Sequence, residues 1–184
     1  MTHPAEVLTG ERTTLRRFGA ADAEALHRVV NESLEHLRPW MPWAAGDYGP
    51  DAAREFLSRC DEQWAAGTGH AYAVTIDGGA LVGACGLHEH TEPDLWEIGY
   101  WLHPAHTGHG LATEASTLLV AAAFALPGIT RVRIWHDAAN TRSGAVPRRL
   151  GFTELERGPS TRAGLCPGES GIGVSWELRA TPPP

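Results

Sequence analysis

"HPAHTGHGLATEA", residues 103–115, decides how this chain is read. It carries three histidines at three-residue spacing and two glycines bracketing a single residue, then passes into an alanine-rich run. Histidines suggest a metal; a glycine turn opening a helix suggests a phosphate. The metal reading is the weaker. His103, His106 and His109 stand at i, i+3 and i+6, and on a helix residues six apart drift off the face that residues three apart share. Pro104 and Gly108 argue against a helix here in any case. A zinc site wants converging imidazoles with partners behind them, and no Cys or Asp stands beside these at ligand spacing. No metal is expected.

The phosphate reading explains more. Gly108 and Gly110 let the backbone turn its N–H groups toward one concave spot and let a ligand come close. The helix that follows begins with unpaired N–H groups and the positive end of its dipole. Strand, glycine turn and helix together form an anion site. The dinucleotide pattern Gly-x-Gly-x-x-Gly is absent, because position 113 is Thr, and so is Gly-Lys-Ser/Thr. On these residues alone a purely structural turn stays open.

Outward from the turn, "LWEIGYWL" (95–102) reads as the strand before it and "TRVRIWHD" (130–137) as the strand after the helix. That βαβ unit implies a parallel pair. Upstream, "HAYAVTI", a turn at Asp77-Gly78-Gly79 and "ALVGACGLHE" form a hairpin. Earlier still, Leu8 to Phe18 reads as one first strand. Asp22 caps a helix to about His36 with Ala25, Leu26, Val29, Val30 and Leu34 on one face. A second helix starts at Pro50, carries Phe56, Leu57, Cys60 and Trp64 as a stripe, and ends at Gly67. Downstream, "NTRSGAVPRRLGF" reads as a short helix stopped at Gly151. "FTELER" and "GVSWELR" are two closing strands around a Gly/Pro-rich loop at 158–173. The expectation is one mixed α/β domain over residues 1–180, with a disordered tail at 181–184.

Composition narrows the class. A hydrophobic fraction of 42% and a charged fraction of 20% suit a soluble globular chain of 184 residues. No apolar run approaches the roughly 20 residues of a membrane span, and the start shows no signal peptide. Cys60, Cys85 and Cys166 form no CxxC and read as free thiols of a cytoplasmic protein. The net charge is −7 and all 15 basic residues are arginine. An acidic chain is a poor non-specific nucleic-acid binder and suits a cationic acceptor such as an amine.

"WEIGYWLHP", "TGHGLATEA", "LEHLRPWMPW" and "AANTRSGAVPRRLGF" resemble the RimJ/RimL-type branch of the GNAT superfamily of acyl-CoA-dependent N-acetyltransferases. The resemblance covers nearly the whole chain. It implies a GNAT-like domain: a central, mostly antiparallel twisted sheet with a parallel pair splayed at the cofactor site, flanked by about four helices. It implies acetyl-CoA held by Thr107, Gly108, His109, Gly110, Leu111, Ala112 and Thr113, by backbone at Trp101, Leu102 and His103, and by Asn140 and Ser143. Thr107 stands where many members have Gln or Arg, and His109 where many have Lys or Arg. With no lysine the loop has no obligate cation of its own, and a protonated His109 would make cofactor affinity fall as pH rises through roughly 6–7.

Acetyl transfer needs a polarised thioester carbonyl, a deprotonated amine and a protonated leaving thiolate. Glu97 shares a strand face with Gly99 and Trp101, opposite Trp96, Ile98 and Tyr100, and is the candidate base; a solvated strand carboxylate is the alternative. Many relatives carry a Tyr seven residues after the helix-starting Asn. Here that position is Pro147, leaving Ser143, one turn from Asn140, as the candidate acid. Asn140 equally suits an N-cap, and Pro147 is awkward inside a helix. Trp40, Trp43, Tyr72 and His88 are candidates for the acceptor pocket, with His90 nearby. The resemblance implies the α-amine of a protein N-terminus as acceptor, with ribosomal proteins among the candidates, and a homodimer. A small-molecule amine or a non-catalytic acyl-CoA-binding domain are the alternatives, since one fold hosts many functions. No cysteine stands where a covalent acyl-enzyme would need it.

Overall fold

The computed structural model describes residues 2–160 and 164–181. Eight strands form one sheet: β1 (Val7–Thr9), β2 (Thr14–Arg17), β3 (Gly69–Ile76), β4 (Ala80–Glu89), β5 (Leu95–Leu102), β6 (Arg131–Asp137), β7 (Thr153–Pro159) and β8 (Ile172–Arg179). Four helices accompany them: α1 (Ala23–Leu37), α2 (Pro50–Ala66), α3 (Leu111–Phe124) and α4 (Thr141–Arg149). The order across the sheet is β1-β2-β3-β4-β5-β6-β8-β7. The β5–β6 pair is parallel, as a strand–helix–strand crossover requires.

Strand alternation sends side chains to two layers. On one face Tyr72, Val74, Leu87, Trp96 and Ile98 pack with Leu111, Ala115, Leu119 and Ala123 of α3. On the other, Ala71, Ala73 and Ala84 pack beneath Leu26, Val29 and Val30 of α1 and Ala53, Leu57 and Cys60 of α2. Small residues on that strand face let two helices lie close to the sheet. The α2 stripe ends at Gly67, whose φ of 71° and N–H bonds to Gln63 O and Trp64 O close the last turn.

Three local expectations are corrected. The run Leu8–Phe18 is two strands, because Gly10–Thr13 is a turn closed by Gly10 N–H on Thr13 O at 2.8 Å. Asp22 stands at the N-cap of α1 but makes no side-chain cap bond. Its carboxylate accepts instead from Arg16 Nη2 at 2.6 Å and Gly19 N–H at 2.8 Å. Pro104–His106 is a single 3-10 turn where no helical turn was expected. The tail at 182–184 lies outside the described residues; Thr181 is exposed. No helix among the described residues is long and apolar enough to cross a membrane.

Candidate active site

β5 and β6 touch only at their starts, where Leu95, Trp96 and Glu97 stand opposite Arg131, Val132 and Arg133. β5 runs on to Leu102 and β6 to Asp137, so the strands part and leave a wedge. β4 covers the other edge of β5 as far as Leu102. N–H groups alternate sides along a strand, and the His103 N–H is donated to Val82 O at 2.8 Å. The N–H groups of Leu102 and Tyr100 therefore point into the wedge, whereas those of Trp101 and His103 turn toward β4. Of the three backbone positions expected to face a thioester, Leu102 is the one so aimed.

Beyond the wedge lies the glycine turn. Gly108 and Gly110 both adopt φ of 81°, a left-handed conformation that a Cβ would strain. Among the described residues the N–H groups from Gly108 to Thr113 donate to no backbone acceptor, and the first bond of α3 is Glu114 N–H to Gly110 O at 3.0 Å. Unpaired donors and the helix dipole make this an anion cradle. A cleft of 680 Å³ joins the cradle to the start of α4, lined among others by Leu102, Thr107, Gly108, Gly110, Leu111, Ala112, Thr113, Asn140 and Ser143.

The loop is braced from a distance that sequence reading missed. Arg12, in the β1–β2 turn, donates from Nη1 to His109 O at 2.6 Å and from Nε to Glu114 at 3.2 Å. The Glu114 carboxylate also accepts the N–H groups of Arg12 and Thr13, and these bonds hold it below the usual carboxylate range against the opposing effect of burial. The His109 side chain is exposed and stands outside the cleft lining, as does His103. His103 accepts the Ala105 N–H at Nδ1. The cations that line the cleft are Arg142 and Arg149 of α4. His36 also lines the cleft; burial and then the charge of Arg142 lower its pKa. No group of three or more metal-binding side chains converges among the described residues, although the His103 and His106 rings lie 5.7 Å apart.

At the start of α4, Asn140 Oδ1 accepts the Ser143 N–H at 3.1 Å, so Asn140 is an N-cap that also lines the cleft. Pro147 sits inside the helix. It lacks the N–H that would bond Ser143 O four residues back. The Tyr100 hydroxyl takes that place, donating to Ser143 O at 2.9 Å, with Ser143 Oγ 3.2 Å away. Burial pushes the Tyr100 hydroxyl up to about 12, opposed by the bond to Ser143. Periodicity put Tyr100 on the apolar face of its strand and so hid its hydroxyl.

A second cavity, of 410 Å³, lies between the sheet and helices α1 and α2. Met41, Tyr100 and Trp101 line both cavities, so the two meet at the splayed end of β5. Trp43 packs 6.0 Å from Tyr48 and 6.0 Å from Trp101, and its ring walls the second cavity. Trp40 lines the cofactor-type cleft instead. His88 lines the second cavity, its ring over Gly99, where a Cβ would stand 3.8 Å from Nε2. Desolvation lowers the His88 pKa and Glu97 raises it. Glu97 pairs with His88 across β4–β5 but lines neither cavity. Tyr72 is a correction: it is 0% exposed, packed in the core, with its hydroxyl on Ala5 O at 2.9 Å. It points opposite to Ala71, which does line the cavity. Cys60 and Cys85 line it as well, and burial raises both thiols.

Fold and site together describe a group-transfer protein: an anion cradle serves one cavity, and a second cavity opens onto the same strand. The Acetyltransferase (GNAT) domain profile matches residues 12–153, and the chain belongs to that family. It is 32% identical over 146 residues to a Bacillus subtilis protein named "Putative ribosomal N-acetyltransferase YdaF", covering 78% of this chain and 79% of that protein. Among solved structures, a RimL ribosomal L7/L12 α-N-protein acetyltransferase in complex with coenzyme A superposes with a TM-score of 0.86 at 19% identity, over 95% of this chain and 98% of that one. RimJ of Mycobacterium smegmatis, in complex with CoA-disulfide, gives 0.84 at 23% identity over 97% and 90%. At these identities the two structures support the shared fold.

Proposed function

We propose that this protein is an acetyl-CoA-dependent N-acetyltransferase acting on a primary amine, with the α-amine of a protein N-terminus, a ribosomal protein first among them, as acceptor. The meeting of the two cavities at Met41, Tyr100 and Trp101 carries the reading. A donor held in the wedge and an amine in the second cavity share one contact point, which is what direct attack in a ternary complex needs. The cradle suits a pyrophosphate, and Arg142 and Arg149 supply the positive charge that the loop lacks. Bound acetyl-CoA supplies an activated acetyl group. The Leu102 N–H is placed to polarise its carbonyl. His88, whose pKa desolvation lowers against the opposing charge of Glu97, takes the amine proton. Asn140 and Ser143 face the pantetheine arm, and Ser143 takes part in protonating the sulfur. The same reading places the protein in the cytoplasm, as a homodimer whose mass sedimentation would check.

Calorimetric titration of acetyl-CoA, followed by acetylation of ribosomal-protein N-terminal peptides, tests it. Saturable binding near the micromolar range, about −8 kcal/mol, followed by acetylated peptide is the expected result. No binding at all ends the proposal; binding without transfer to any amine leaves an acyl-CoA-binding domain in its place.

One observation favours a second acceptor class. The acceptor cavity is walled by Trp43, Tyr48, Phe56 and Trp101, its one cation among the described residues is Arg59, and no Asp or Glu among them lines it. Its walls therefore suit an amine carried on an apolar or aromatic group. Aromatic amines acetylated faster than peptides would choose this class.

A further inference from the structure

The second cavity carries a permanent charge at one place. Among the described residues Arg59 of α2 is its one cation, and no Asp or Glu lines it. Arg59 makes no ion pair or side-chain hydrogen bond among the described residues. Yet Glu55 and Glu62 stand one turn away on the same helix, at the spacing where such pairs form. Nearby arginines behave differently: Arg54 pairs with Asp51, and Arg17 pairs with Asp61 at 3.0 Å.

Tyr48 stands beside Arg59 and lines the same cavity. Burial pushes its phenol up to about 12 and the Arg59 charge opposes that shift, so the two groups lie close enough to interact. The Tyr48 hydroxyl also makes no hydrogen bond among the described residues. The residue is fixed by other contacts. Its carbonyl accepts from Asn31 Nδ2 at 2.9 Å, and its ring lies 6.0 Å from Trp43. Trp43 lies 6.0 Å from Trp101, where the two cavities meet. One indole therefore separates a pair of unpartnered donors from the reacting end. An arginine and a phenol that converge without an acceptor suit an anion.

We propose that Arg59 and the Tyr48 hydroxyl form an anion subsite, so that the acceptor is a primary amine whose far end carries a carboxylate across an apolar or aromatic body. The inference rests on the acetyltransferase reading and narrows its acceptor. The amine lies at Tyr100 and Trp101, the body against Trp43, and the carboxylate at Arg59. Pairing the carboxylate with Arg59 also weakens its pull on the acceptor's own ammonium, which eases loss of the amine proton. The acidic net charge of the chain repels such an acceptor at long range; the local cation offsets that repulsion within the cavity.

The test measures binding alone, on protein saturated with CoA, so that no acetyl group can move. Two matched pairs serve as probes: 4-(aminomethyl)benzoate against benzylamine, and the amidated tripeptide Ala-Phe-Glu against Ala-Phe-Gln. Calorimetry of each is expected to show the carboxylate-bearing member of one pair binding roughly tenfold tighter. Arg59→Gln should collapse that ratio toward one, Tyr48→Phe should lower it part of the way, and added salt should narrow it in wild type. Arg59 is exposed, so its replacement leaves the core untouched. A preference in the benzyl pair assigns the carboxylate to a small amine; one in the peptide pair assigns it to a protein N-terminus. No preference in either pair, or a preference that survives Arg59→Gln, overturns the inference and leaves the acetyltransferase reading standing. Absence of saturable CoA binding to wild type overturns both.

Discussion

The Tyr100 hydroxyl and Pro147 are two ends of one arrangement: the hydroxyl donates at 2.9 Å to Ser143 O, the carbonyl that Pro147 leaves without a helix donor. The helix defect and the strand tyrosine compensate each other. Tyr100→Phe should cost about 1 kcal/mol of stability, the penalty for a carbonyl left without its partner. In a Pro147→Ala background the same substitution should cost close to nothing, because residue 147 now donates. Urea unfolding of the four proteins gives the coupling, expected at about 1 kcal/mol. Additive effects would show that the proline and the hydroxyl are unrelated.

Charge recognition is predicted to come from α4 and not from the loop histidine. Arg142 lines the cleft, whereas the His109 side chain does not. Arg142→Ala should weaken acetyl-CoA binding roughly fivefold, about 1 kcal/mol, with a smaller dependence on salt. His109→Ala should bind as wild type does at pH 6 and at pH 8. Calorimetry of the two variants decides between them, and a pH-dependent loss confined to His109→Ala would restore the histidine to the site.

His70 makes acid the weak side of this fold. It is 1% exposed, stacked on Trp96 with ring centroids 5.1 Å apart. Its Nε2 lies 3.3 Å from His3 Nδ1. Desolvation, with smaller contributions from His3, His88 and Arg17, lowers its pKa to about 4. A depressed histidine pKa means that the unfolded state binds the extra proton first, so the stability is fully present above about pH 6.5 and is lost as pH falls toward 4. By pH 4 this one group should cost about 3 kcal/mol. Melting temperature against pH should fall steeply over that window, and His70→Gln should flatten the fall. A parallel pair of curves would remove His70 from the cause.

Gly144 is predicted to tolerate no side chain. A Cβ there would stand 2.5 Å from His136 Cε1 and 2.6 Å from Nε2. His136 Nε2 accepts the Trp176 indole N–H at 3.0 Å and cannot move without breaking that bond. Gly144→Ala should therefore destabilise by about 2 kcal/mol through overpacking, despite alanine's better helix propensity. A rise in melting temperature would show that the helix yields instead.

The local features were legible because their causes are local. Glycine turn, helix and flanking strands follow from periodicity and punctuation within some forty residues. The hairpin in Leu8–Phe18 was missed because Leu8, Thr14 and Arg16 keep a strand-like pattern on either side of a four-residue turn. The side-chain contacts that shape the site were not legible. Tyr100 meets Ser143 across 43 residues, and Arg12 meets Glu114 across 102. Tyr72 differs by one step of alternation: Ala71 faces the second cavity, so its neighbour faces the core.

The Arg12–Glu114 tie bears on how this protein is handled. Fusion tags and trimmed starts are usually placed ahead of a first strand on the assumption that the leading residues are expendable. Here the β1–β2 turn clasps the glycine turn at His109 and the opening of α3. A shortened version beginning at β2 would keep most of the sheet and still lose the clasp, and a preparation that folds yet takes up no cofactor should first be checked for how it begins.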